Sequence, residues 1–127
     1  MVERVLEDGV RVAELLASEL TGRRAPPFDD VTVTDADPAV DPTPAGARAY
    51  DVTVAGARVA SVSVTPTEAR VAFCGAASGD AAESAAERVG LGLRPDAPTG
   101  RVTVAVVNGA HVKRVLAVIE AALAARA

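Results

Sequence analysis

The sequence predicts an α+β fold: a mixed, mainly antiparallel sheet of about five strands, a three-strand meander at its centre, packed with three helices in the order α-β-β-β-β-α-β-α. Three observations predict it. Along Arg48–Cys74, apolar residues alternate with small polar ones in three short runs: Tyr50, Val52, Val54; then Ala60, Val62, Val64; then Val71, Phe73. A period of two over this length specifies strands with one buried face and one lighter face. Apolar residues also recur at helical spacing near both ends of the chain. Finally, 127 residues suffice for one domain with one core, so residues 1–127 are read as a single unit.

The elements follow in order. Within Met1–Leu20, Leu6, Val10, Ala13, Ala17 and Leu20 form a helical stripe widened by Val5, Val12 and Leu16, with Glu3, Glu7, Glu14 and Glu19 largely opposite. Gly22 is expected to close this helix as a left-handed cap before the Pro26-Pro27 break. Asp30–Asp35 alternates Val31 and Val33 with threonines, a short strand. Pro38, Pro42 and Pro44 then make Asp37–Gly46 a stiff connection rather than a central strand.

In the meander, Ala55-Gly56-Ala57 supplies the first turn and Thr65-Pro66-Thr67-Glu68 the second. Gly75–Gly79 reads as a loop leading into a helix over Asp80–Val89, with Asp80 at the N-cap, Glu83 three residues on and Gly90 at the stop. Leu91–Gly100, with Pro95 and Pro98, is a connector. Arg101–Val107 is apolar on nearly both faces and reads as the most buried strand. Asn108-Gly109 then turns the chain into a last helix, Ala110–Ala125, with a stripe of Val112, Val115, Leu116, Ile119, Ala122 and Leu123. A strand–helix–strand crossover from Phe73 to this last strand would make the two parallel neighbours.

Composition narrows the function. Net charge is −4, and the 13 basic residues are twelve arginines and one lysine. Such a balance disfavours nucleic acid, whose phosphates call for concentrated positive charge. Half of the residues are apolar, but mostly Ala and Val, with Phe28, Tyr50 and Phe73 the three aromatics. Small side chains favour close packing and few pockets, and no cofactor is expected. One cysteine, Cys74, excludes an intramolecular disulfide and any Cys-built metal site. No apolar run approaches the roughly 18 residues of a membrane span, and the N-terminus lacks a secretory pattern. No membrane role and a cytoplasmic location are therefore expected.

The sharpest chemical candidate depends on the parallel arrangement. Cys74 ends one strand while Asn108 and His111 follow the end of the other. Parallel neighbours would gather thiol, imidazole and amide at one sheet edge, a nucleophilic Cys–His dyad with an orienting Asn. The plainer reading makes Cys74 a small buried residue, Asn108 a helix cap and His111 a first-turn surface residue. Gly75–Gly79 lacks the Lys and Ser/Thr of a phosphate-binding loop. Asp35, Asp37 and Asp41, with Asp29 and Asp30 nearby, lack the Gly and distal Glu of a calcium loop, so no metal site is expected.

Helix, three-strand meander, helix, strand is also the core order of the PD-(D/E)xK nuclease fold, which this chain resembles in topology. That resemblance implies a magnesium-holding carboxylate on a middle strand and an acid-x-Lys on the next. Asp51 and Glu68-Ala69-Arg70 are the nearest matches, and arginine cannot replace the lysine's proton chemistry. GVRVAELLASELTGR, VTVTDADPAVDPTPAGARAYDV and VKRVLAVIEAAL together resemble a group of small uncharacterised haloarchaeal proteins. The resemblance spans the chain but rests on texture, so it implies no activity and carries no site residues.

The expectation is a non-enzymatic domain working through protein contacts, including self-association. Its contact surface would be the outer sheet face, where Thr53, Val59, Ser61, Ser63, Ala72 and Cys74 are small, with Asp51 and Arg70 among them.

Overall fold

The computed structural model describes residues 8–94 and 101–126. Helix α1 (Gly9–Gly22) starts where the Asp8 carboxylate accepts from the Val10 N–H at 2.9 Å, satisfying one of the free amides of a helix start. Its apolar stripe buries Val12, Ala13, Leu16 and Leu20. Leu16 and Leu20 are fully enclosed, each contributing about 2 kcal/mol of burial. The expected helix over residues 1–7 lies outside the described residues. Gly22 is not a left-handed cap: it ends the helix, and Arg23 leaves it extended, with φ −89° and ψ 133°. The chain exits straight toward Pro26-Pro27 instead of reversing.

Six strands form one sheet: β1 (Val31–Thr34), β2 (Ala47–Val54), β3 (Ala57–Val64), β4 (Ala69–Phe73), β5 (Leu93–Arg94) and β6 (Thr103–Val106), in the spatial order β1-β2-β3-β4-β6-β5. The meander β2-β3-β4 stands at the centre. Ala55 and Gly56 both take positive φ, 52° and 82°, the two-residue hairpin turn whose twist suits the flanking strands. In the second turn the Thr65 N–H donates to the Glu68 carbonyl, and the Thr65 hydroxyl accepts from the Glu68 N–H.

Helix α2 (Ala76–Val89) begins four residues before the expected Asp80. Ala76 and Ala77 are strong helix formers, so the small-residue loop is the helix's first turn, entered at Gly75 with φ 93°. Its end matches the expectation: Gly90 is left-handed and its N–H returns to Ala86 and Glu87. Helix α3 (Gly109–Ala124) starts at Asn108, whose side chain accepts from the His111 N–H.

One expectation fails with consequences. Every pairing in the sheet is antiparallel, including β4 with β6, where Ala69 stands opposite Val106 and Ala72 opposite Thr103. The α2 crossover does not deliver the chain to β6. It delivers it to β5, a two-residue edge strand within the expected connector, and β6 returns between β4 and β5. The parallel relation therefore falls on β4 and β5, which are not neighbours. The remainder of the connector, with Pro95 and Pro98, lies outside the described residues.

The helices share one face. Tyr50, Val52, Ala60, Val62, Val64, Ala69, Val71, Phe73, Val104 and Val106 line it and are all buried. The Tyr50 hydroxyl donates to the Ala13 carbonyl at 2.7 Å, tying sheet to α1, and its burial pushes the phenol well above its ordinary pKa. The Ser78 hydroxyl donates to the Ala122 carbonyl and joins α2 to α3. Gly79 lies against the Val102 side chain, where a Cβ would sit 3.2 Å from a methyl group. Thus the described helices and the apolar core occupy one side of the sheet, and on the other Asp51, Ser61 and Thr103 lie buried among the neighbouring side chains.

Candidate functional site

The antiparallel β4–β6 pair separates the expected dyad. Cys74 follows Phe73, whose N–H donates to Val102 at the start of β6. Asn108 and His111 follow the other end of β6. The five residue steps from Val102 to Val107 span about 17 Å, far outside hydrogen-bond reach. Cys74 is half-buried, and its N–H donates to the Val59 carbonyl. His111 serves the backbone instead, for its Nδ1 accepts from the Val107 N–H at 3.2 Å and closes the turn into α3. Burial, and then the charge of Arg114, lower the His111 pKa below its ordinary value, which keeps the ring neutral and able to accept.

The acidic loop residues do not gather either. Asp37 spends its carboxylate on the Ala39 N–H. Among the described residues no group of three or more His, Cys, Asp or Glu is placed to hold a metal ion. No helix there is long and apolar enough to cross a membrane.

A cleft of about 160 Å³ lies between α1 and the segment after β1, lined by Val10, Ala13, Val33, Pro38, Val40 and Tyr50. It is almost wholly apolar. Its polar lining residues are Glu14, Asp37 and Tyr50; the Tyr50 hydroxyl is committed to Ala13 and the Asp37 carboxylate accepts from Ala39, so the cleft offers no converging donors for orienting a substrate.

The sheet face opposite the helices holds the organised polar chemistry. Register places Thr34, Asp51, Ser61, Ala72, Thr103 and Arg94 in one row crossing all six strands. A second row, Arg48, Ser63, Arg70 and Ala105, runs beside it. Arg48 and Asp51 are three residues apart, which in a regular strand would put them on opposite faces. A bulge between Arg48 and Tyr50 adds a residue, so both point outward and pair at 3.3 Å. The Ser61 hydroxyl donates to the same Asp51 carboxylate.

At the other end, Glu68 is 7% exposed and gripped by two arginines. Arg70 donates through Nε at 2.7 Å; Arg94 donates through Nε and Nη2, both at 3.0 Å, in a forked pair. Burial pushes the Glu68 carboxyl up, but the hydrogen bonds and charges of Arg94 and Arg70 outweigh it, and its pKa falls below the ordinary value. Arg94 reaches from the edge strand across β6 to do this. Ala105, on β6 between them, is 1% exposed beneath that bridge.

These carboxylates do not form a nuclease-like pair. Asp51 lies in the Ala72 row, and Glu68 is four residues further along β4 and two strands away, beyond about 13 Å. Asp51 is neutralised by Arg48, and Glu68 by Arg70 and Arg94.

Over residues 1–127 the sequence matches a family of unknown function, DUF7993. The chain belongs to that family. No curated protein and no solved structure matches it. Sequence reasoning found the sheet's lighter face from its alternation but missed the two arginine–carboxylate groups. The bulge at Ala49 and the existence of β5 create them, and neither leaves a pattern of period two.

Proposed function

We propose that this family member is a non-catalytic domain that works through protein contacts made by its open sheet face. One observation carries the reading: the described helices all pack on one side of a six-stranded sheet, and the polar face opposite them carries no described helix. That face has small side chains at its centre, of which Ser63 and Ala72 are half-buried, and arginines around them, a composition suited to another polypeptide. The dispersal of Cys74, His111, Asp51 and Glu68 supports a binding role over a catalytic one.

A second reading, self-association through the same face, is favoured by the small residues Ser61, Ser63, Ala72 and Thr103 at its middle, which let another sheet approach closely. The proposal extends to a cytoplasmic setting in a salt-adapted, haloarchaeal-like host, supported by the acid excess and the near-exclusive use of arginine.

Ala72→Arg tests the proposal by placing a long charged side chain mid-face without touching an ion pair. Cross-linking in cells should trap complexes with the wild type that the variant loses while keeping its circular dichroism spectrum. Complexes unaffected by the variant would move the contact elsewhere. Sedimentation velocity from micromolar to millimolar concentration tests the second reading, and a single-chain mass throughout would remove it.

A further inference from the structure

We infer that the partner of the open face is an acidic polypeptide, a deeper claim that rests on the binding role proposed above. Four arginines, Arg48, Arg58, Arg70 and Arg94, share this face with two carboxylates, Asp51 and Glu68. The six sum to +2. The whole chain is −4, so all other residues together carry −6. Positive charge is concentrated on the sheet face that no described helix covers.

The arginines are held with donors to spare. Glu68 engages Arg70 through Nε alone, so both of its Nη groups have no partner among the described residues. Asp51 engages Arg48 through Nη1. Arg58, opposite Thr53, is exposed. A guanidinium carries five donors in a planar fork that matches a carboxylate. Here buried carboxylates orient the forks from below, which lowers the ordering cost of binding from above. Arg48 and Arg70 flank Ser63 from the two adjacent strands, about 10 Å apart by strand spacing. The small, half-buried Ser63 lies between them.

Charge and composition choose among occupants. Nucleic acid fits poorly: Phe28, Tyr50 and Phe73 are all buried, so no aromatic platform is offered to bases, and the rest of the chain repels phosphate. A second copy docked face to face would set +2 against +2. An acidic segment meets complementary charge, with the half-buried Ser63 hydroxyl between Arg48 and Arg70.

Fluorescence anisotropy with labelled poly-L-glutamate tests this, with circular dichroism confirming the fold at each salt concentration. We expect saturable binding that weakens at least about tenfold between roughly 0.1 M and 1 M salt, as screening shortens from about 10 to 3 Å. Arg48→Ser combined with Arg70→Ser should weaken it about tenfold or more, and Ala72→Glu, which leaves both ion-pair groups whole, should do the same. Arg11→Ser with Arg88→Ser, away from the face, should not. Absence of saturable binding, insensitivity to the face variants, or tighter binding of single-stranded oligothymidylate would overturn the inference. So would a dimer that strengthens with salt and is lost in Ala72→Arg, a result that would leave the protein-contact reading standing. Failure of both the glutamate probe and the Ala72→Arg cross-linking test would end both.

Discussion

Gly9 shows how much a single backbone position decides. It opens α1 and is buried under the second meander turn, where a Cβ would run into the Thr65 and Glu68 carbonyl oxygens. Backbone atoms cannot swing aside as a side-chain end could. We therefore expect Gly9→Ala to destabilise the protein by about 2–3 kcal/mol, read as a lowered urea midpoint with unchanged slope. Gly22 gives the opposite case. It is helical, and a Cβ there meets nothing within 4 Å, so Gly22→Ala should raise stability by about 0.5–1 kcal/mol. Nothing in the sequence distinguishes the two glycines. Gly9 sits within the helical pattern with no turn signal, and its closeness to Thr65 is a tertiary fact.

Among the elements, β5 is the least expected and the most dependent on one side chain. Two residues make a poor strand, and Leu93 is substantially exposed at 38%. Its attachment is backbone pairing to β6 together with the Arg94 fork on Glu68. Glu68 has a folded-state pKa below its ordinary value of 4.5, so folding favours the charged carboxylate. The resulting stability is present above about pH 4.5 and is lost as pH falls through the depressed folded value. Glu68→Gln should accordingly lower the melting temperature at pH 7, and the gap from wild type should close as pH falls below 4.5. A gap that stays constant with pH would mean that packing, not charge, anchors the edge strand. The sequence could not reveal this group, because Glu68 and Arg94 are 26 residues apart and the strand joining them reads as a proline-flanked connector.

At the scale of the whole molecule, legibility followed periodicity. The meander, its buried face and its central position were readable because Tyr50, Val52, Val62, Val64, Val71 and Phe73 alternate cleanly. Helices α1 and α3 were readable from their stripes, α3 to within a residue of its start through Asn108, and α2 from Gly90 at its stop but not from Asp80 at its start. The direction of β6 was not, because an apolar run buried on both faces looks the same read either way along the sheet. That single reversal moved His111 to the far end from Cys74 and dissolved the dyad, leaving a cap and a half-buried thiol with separate lives.

Their independence is measurable. Because Nδ1 of His111 must stay neutral to accept from Val107 and its pKa is lowered in the fold, its contribution to stability is present above about pH 6.5. That contribution falls away as pH drops through the depressed folded value. His111→Gln should therefore reduce the denaturation midpoint more at pH 8 than at pH 5. The same substitution should leave the pH–rate profile of Cys74 alkylation by iodoacetamide unmoved, since roughly 17 Å of sheet separates the two groups. A profile that shifts with His111 would restore the nucleophilic pair and remove the ground for reading the open face, rather than the sheet's ends, as the working part of the molecule.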